Sequence, residues 1–173
     1  LKSSNPKIID YANSEMRSDF MDIYLGAKCF FLITTGCGFD AIPSIFKRPI
    51  ALTHVPLGLS QFTSTDKCLL LTKHHKNKLT KKELTISEIF SSNVGIASET
   101  EEFEKNNVEL LENTSEELRD FVIEMEERVS GKWRETQEDL ILQEKFWQIF
   151  EKNIEKLNLK NSMNGIKKRS KFS

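Results

Sequence analysis

The sequence predicts an α/β fold, a parallel sheet with flanking helices. Three observations carry that expectation: apolar β-branched runs that do not alternate, short helical repeats between them, and connections of only a few residues. A strand buried on both faces reads as a continuous apolar run. Two such runs stand close together, "KCFFLITT" at 28–35 and "RPIALTHV" at 48–55. A chain of 173 residues is long enough for one domain with a substantial core.

Taken in order, Ile8 to Tyr11 is a short apolar run and is expected to be the first strand. Ser18 offers an N-cap, Asp19 suits the positive end of a helix dipole, and Phe20, Ile23, Tyr24 and Ala27 recur at helical spacing. Residues 18–27 are therefore expected to form an amphipathic helix. The run 28–35 follows as a strand buried on both faces. After "TTGCGFD", Phe39 to Lys47 reads as a second short helix. Pro43 is compatible with it in the first turn, where an N–H has no intrahelical partner. The run 48–55 is the third strand. Strand, helix, strand, helix, strand with short links is the pattern of right-handed crossovers in a Rossmann-like sheet.

Beyond this, "PLGLSQFTST" (56–65) reads as a loop, "KCLLLT" (67–72) as a further strand, and "KHHKNKLTKK" (73–82) as a basic surface connection carrying His74 and His75. Thr85 and Glu88 form a capping-box pattern before Ile86, Ile89 and Phe90. Leu110 and Leu111 end a strand at Asn113 and Thr114. Glu117 completes a second box there, opening a helix with Leu118, Phe121, Val122, Met125 and Val129 on one face. Thr136 and Asp139 cap a last helix carrying Leu142, Phe146, Trp147, Ile149, Phe150 and Ile154. The domain is expected to cover 1–158, with 159–173 as a flexible basic tail.

Charge and composition narrow the function. Twenty-five basic and 26 acidic residues nearly cancel, yet bases outnumber acids by about two to one from Leu1 to Lys82, and Glu99 to Glu127 is mostly acidic. No apolar run approaches the roughly 18 to 20 residues that span a bilayer. Cys29, Cys37 and Cys68 have neither metal-ligand spacing nor an even count for a disulfide framework. The expectation is a cytoplasmic chain without a transmembrane segment, metal, cofactor or nucleic-acid partner. Its abrupt start at Leu1, without methionine, suggests a piece of a longer protein.

"TTGCGFD" is the stretch most suited to chemistry. Cys37 as a nucleophile would need small residues two positions to either side, and these are Thr35 and the bulky Phe39; His54 is the available base for such a hydrolase. The other reading of Cys37 is a small buried residue in a tight turn. As a phosphate cradle, Gly36 and Gly38 follow a strand and precede a helix, where backbone N–H groups and the helix dipole favour an anion. Ligands of open parallel sheets bind outside the carboxyl ends of the strands. Arg17 would project from that edge, to hold a diphosphate or to pair with Asp19 or Asp22. Asp40 is either the N-cap of the second helix or an acceptor for a ribose hydroxyl. Asn113 and Thr114 are either a cap or another anion site on the same edge.

These residues also carry a resemblance. "IIDYANSEMRSDFMDIYLGAKCFFLITTGCGFDAIPSIFKRPIALTHVP", with "LTISEIFSSN", "ENTSEELRDFVIEMEERVSGKW" and "TQEDLILQEKFWQIF", resembles the C-terminal half of a bacterial glycosyltransferase family with a GT-B-like fold, two Rossmann-like domains facing across a cleft. The resemblance covers about Ile8 to Phe150. It implies that this half binds a nucleotide-sugar. The absent N-terminal domain would bind a glycan or lipid-linked acceptor, at the cytoplasmic face of the membrane or in the cytoplasm. By position, Arg17 would neutralise the diphosphate leaving group, the Gly36–Phe39 backbone would cradle phosphate, and Asp40 or Ser14 would reach ribose or sugar hydroxyls. The implied substrate-binding set is Ser14, Arg17, Thr35, Gly36, Cys37, Gly38, Phe39, Asp40, Asn113 and Thr114, with no metal and no assigned catalytic base. Without its partner domain the fragment would be inactive and would expose the aromatic face of its last helix, favouring a homo-oligomer. The rival reading is a non-catalytic module that binds a protein partner through its acidic and aromatic helices.

Overall fold

The computed structural model describes residues 3–58 and 67–156. Residues 59–66 of the expected loop, and the expected tail 159–173, lie outside them. A parallel sheet of three strands is flanked by helices, with strand order β1 (Leu32–Thr34), β2 (Ile50–Val55), β3 (Cys68–Thr72). Leu32 pairs with Ile50 and Thr34 with Leu52; across the other side Ile50 pairs with Cys68 and Thr53 with Leu71. β2 is central and buried almost throughout, which is why its sequence is an unbroken apolar run. Ile50, Leu52 and Val55 pack with Leu32 and Cys68, while Ala51 packs with Phe121 and Met125 of α5 (Ser115–Val129).

β1 departs from expectation. Among the described residues it pairs with β2 alone, and Ile33 is 48 % exposed, so it is an edge strand and not one buried on both faces. Ile8 to Tyr11 is not a strand. Ile8 and Ile9 are exposed, and Tyr11–Asn13 forms a 3-10 turn. Apolarity alone does not make a strand, because its backbone groups need a neighbour to pair with.

The helix α1 (Asp19–Lys28) starts where its cap predicts, with the Ser18 hydroxyl accepting the Met21 N–H. β1 connects to β2 through a 3-10 turn, Gly38–Asp40, and α2 (Ala41–Ile45), in whose first turn Pro43 sits. Gly26 sets the approach of α1 to α2, since a Cβ there would stand 2.7 Å from Ile42 Cγ2. Arg48 Nε donates to the Ala27 carbonyl (2.6 Å), tying the end of α1 to the entrance of β2.

After β3 the chain passes through Lys73 into β4 (His74–Asn77), antiparallel to β5 (Val108–Leu111). The basic stretch 73–82 is thus a strand and a turn, not a surface connection. Asn77 Oδ1 accepts the Leu79 and Thr80 N–H groups and closes the turn. Side chains alternate across a strand; His75 is accordingly buried near Phe103, and His74 faces carboxylates on the other side. Both corrections follow from a pairing between segments more than thirty residues apart.

The ribbon covers a second core with α3 (Ile86–Ser91), α4 (Thr100–Lys105) and α6 (Gln137–Lys156). The Thr85–Glu88 and Thr136–Asp139 pairs form the reciprocal hydrogen bonds that their spacing predicts. Phe90 meets Phe146 and Phe150 edge-on, and Trp147 packs against both. The aromatic face expected to lie open for a partner is therefore closed by α3 within the chain. Exposed apolar side chains stand on α1 (Phe20, Ile23, Tyr24), at Phe30, Ile45 and Phe46, and at the start of α6 itself (Ile141, Leu142). Among the described residues no helix is long and apolar enough to cross a membrane.

Candidate functional site

The carboxyl ends of β1, β2 and β3 lie on one edge of the sheet, and the turn after β1 is built there from its own polar groups. Thr34 Oγ1 donates to Asp40 Oδ1 (2.7 Å) and accepts the Gly36 N–H (3.2 Å). Asp40 Oδ2 accepts the Cys37 N–H (3.0 Å), and the Asp40 N–H returns to the Cys37 carbonyl (3.1 Å). Gly36 has φ +86°, the left-handed region, while a Cβ there would find ordinary contacts of 3.7 Å with Leu52 and Val55. Glycine is required by the backbone, not by space.

This geometry corrects the reading of Asp40. Its side chain makes no cap for α2, and both oxygens are spent holding the turn. The N–H groups of Gly36, Cys37 and Asp40 are likewise spent. Those of Gly38 and Phe39 have no partner among the described residues. An anion at this turn would meet two open N–H groups and a nearby carboxylate, so it needs a cation from elsewhere on the edge.

Arg17 is one such cation. It is exposed and, among the described residues, its side chain forms no ion pair or hydrogen bond; the pairing with Asp19 or Asp22 is not made. Asp22 instead accepts the Tyr11 hydroxyl (2.7 Å). The chain passes from α1 into β1 through Cys29–Phe31, so Arg17 stands at the end of α1 away from that link. Ser14 closes the 3-10 turn before α1, its hydroxyl donating to the Tyr11 carbonyl (2.9 Å).

At the end of β2 the register shifts between Thr53 and Val55, and His54 takes φ +59°. A positive φ is uncommon outside glycine, though histidine adopts it more readily than bulky residues. The ring is fixed on both sides: Nδ1 is 3.2 Å from the Thr53 hydroxyl, and Nε2 is 3.5 Å from Glu112. Glu112 also accepts from Lys73 Nζ at 2.6 Å, and that hydrogen bond holds its carboxyl below the usual range.

Asn113 and Thr114 do reach this edge. Asn113 Nδ2 donates to the Thr72 carbonyl at the end of β3 (2.9 Å), and its buried Oδ1 has no partner among the described residues. Thr114 and Glu117 cap α5 reciprocally, the Thr114 N–H donating to Glu117 Oε2 (2.7 Å) and the Glu117 N–H to Thr114 Oγ1 (3.2 Å). With Glu116 and Glu117 in its first turn, the positive end of α5 is already answered. Glu117 also holds His74, whose Nδ1 meets Glu83 at 2.7 Å; these carboxylates raise the His74 pKa.

The structure therefore gathers the glycine turn, His54, Asn113 and Thr114 on one edge. Among the described residues no hydrogen bond joins Cys37 to His54, the base of the hydrolase reading. Cys37 is exposed, not buried as its place in a tight turn suggested, and its Sγ lies 3.6 Å from Asp40 Oδ1, while both His54 nitrogens face other groups. Lys73 and Glu112 were not foreseen as site residues. A lysine directly after a predicted strand was the one available signal, since the approach of Glu112 depends on the β4–β5 register. Among the described residues no group of three or more His, Cys, Asp or Glu side chains is placed to hold a metal ion. Comparison with protein-family models, curated proteins and solved structures finds no match to this chain.

Proposed function

We propose that this chain is the nucleotide-sugar-binding half of a glycosyltransferase of GT-B-like architecture, passing a sugar from a nucleotide donor to a hydroxyl of a glycan or lipid-linked acceptor. The observation that supports it is the turn after β1. It stands at the carboxyl edge of a parallel sheet, is held left-handed at Gly36, and leaves the Gly38 and Phe39 N–H groups without a partner among the described residues. Sugar transfer leaves negative charge on the departing nucleoside diphosphate. Backbone N–H groups fixed in advance stabilise such charge, and a guanidinium such as that of Arg17, which has no partner among the described residues, grips phosphate bidentately. The acceptor and its base belong to the partner domain in this reading.

Thermal melting of the folded chain with UDP, GDP and CDP tests it. A ligand of the native state at a hundred times its Kd adds about 2.7 kcal/mol of stability, a shift of several degrees for a domain of this size. Absence of any shift at millimolar nucleotide would overturn the reading. Arg17→Ala should weaken the nucleotide about tenfold and leave the melting temperature without nucleotide unchanged. An interaction module is the second reading, favoured by the exposed apolar side chains of α1, with Phe20 72 % exposed.

A further inference from the structure

We propose that Lys73 and His54 form a seat for a phosphate group, and that Glu112 is the internal occupant which the phosphate displaces. The proposal rests on reading the carboxyl edge as a diphosphate site, and it adds a second set of phosphate-facing groups to that site.

The Lys73 ammonium group and the His54 ring are half-buried, whereas the Glu112 carboxylate that faces both is exposed. The Lys73 and His54 side chains are 21 % and 26 % exposed, against 61 % for Glu112. Withdrawing an ammonium group from water is costly unless an anion accompanies it. Here that anion is a long surface side chain in the short link between β5 and α5. Glu112 uses one oxygen toward Lys73 Nζ at 2.6 Å and the other toward His54 Nε2 at 3.5 Å. A phosphate edge offers two oxygens to two donors in the same manner, with more charge.

The direction of His54 is imposed rather than incidental. The shift in register and the left-handed backbone turn the residue out of the ladder, and the Thr53 hydroxyl on Nδ1 leaves Nε2 to face the seat. Lys73 is placed as firmly, its N–H donating to the Val55 carbonyl (2.8 Å) at the end of β2. Glu83 and Glu117, the carboxylates around the next residue, are both committed to His74. The seat thus lies at the carboxyl ends of β2 and β3, on the edge that carries the β1 turn. At that turn Asp40 weakens anion binding, and a cationic seat along the same edge supplies the charge it lacks.

Isothermal titration of the full chain with UDP, GDP, CDP and inorganic pyrophosphate, at fixed ionic strength, tests the exchange. Glu112→Gln should tighten pyrophosphate and the bound nucleotide about fivefold, because it removes the competing charge and keeps the shape. Lys73→Met should weaken them about tenfold, and His54→Asn, which tolerates the left-handed backbone, about threefold. Circular dichroism establishes that each variant is folded; Glu112→Gln alone decides if Lys73→Met is not. Unchanged or weaker affinity in folded Glu112→Gln overturns the seat. So does the absence of any binding by wild type and Glu112→Gln alike. Nucleotide binding to wild type that neither Glu112→Gln nor Lys73→Met alters would leave the glycosyltransferase reading standing and remove the seat. Pyrophosphate binding that tightens in Glu112→Gln, with no nucleotide bound, would keep the seat and remove that reading.

Discussion

The parallel-sheet half and the ribbon–helix half of this molecule spend their residues differently. Around β2 the buried apolar side chains divide into two clusters of three, Ile50, Leu52 and Val55 on one face and Ala51, Phe121 and Met125 on the other. Beneath the ribbon, eight buried residues from β5, α3, α4, α6 and the adjoining loops form one continuous core with interlocked aromatic rings. The sheet half instead concentrates polar detail at its carboxyl edge: a glycine turn closed by Thr34 and Asp40, and a left-handed histidine and a half-buried lysine facing an exposed carboxylate. A site needs side chains held in directions that packing alone would not choose, and such a region is less able to stabilise itself. The larger aromatic core is expected to carry the greater share of the stability.

Truncation of the two cores is the strongest test of that division. Phe90 has no exposed surface and touches the rings of α6, so Phe90→Ala should cost about 3–5 kcal/mol, read as a lower urea midpoint with unchanged slope. Leu52→Ala removes part of a three-residue cluster and should cost about 2–3 kcal/mol. The comparison breaks if Leu52→Ala proves the more damaging of the two.

A smaller effect separates backbone from packing at the turn itself. Gly36→Ala adds a Cβ into a space that receives it, yet forces an L-residue to φ +86°. The expected cost is about 1–2 kcal/mol in stability, together with weaker nucleotide binding as the turn relaxes. A variant as stable as wild type would mean that the turn has another conformation open to it, and that its geometry is not what the sheet half is built to maintain.

What the sequence disclosed of all this follows how local each cause is. β2 was legible because a central parallel strand must be apolar on both faces. The boxes opened by Thr85, Thr114 and Thr136 were legible because each is complete within four residues; the one at Glu99 and Glu102 was not, because glutamate is not a usual N-cap. β4 was not, since "KHHKNK" is polar and its partner β5 lies some thirty residues on; without the ribbon, His75 has no reason to be buried. Ile8 to Tyr11 misled for the converse reason, apolar but with no strand beside it among the described residues. At the site, Gly36 and Asn113 were marked by residue type and place. The positive φ of His54 leaves no trace in composition, and the approach of Glu112 to Lys73 is a consequence of register, so neither could be read before the pairing was known.

The finest distinction between the halves is drawn by two consecutive histidines on β4, which joins them. Burial holds the His75 pKa below its ordinary value, whereas hydrogen bonds that the His74 ring donates to Glu83 and then Glu117 raise that of His74. For His75 the unfolded chain binds the proton more readily, so its contribution to stability is full above about pH 6.5 and declines as the pH falls below that value. For His74 the folded chain binds it more readily; that contribution is full below about pH 6.5 and is lost as the pH rises through the raised folded value. The two slopes oppose one another in the wild type. His74→Gln deletes only the second, so the urea midpoint should fall more steeply from pH 8 to 5.5 than it does in wild type. Staying above pH 5.5 keeps the capping carboxylates Glu88, Glu102, Glu117 and Asp139 ionised, since their depressed pKa values remove stability only at lower pH. Parallel profiles for the two proteins would show that His74 is not held by its carboxylates in solution. The alternation of β4, one histidine to the core and the next to the acidic start of α5, would then not be the link between the stabilising half and the site.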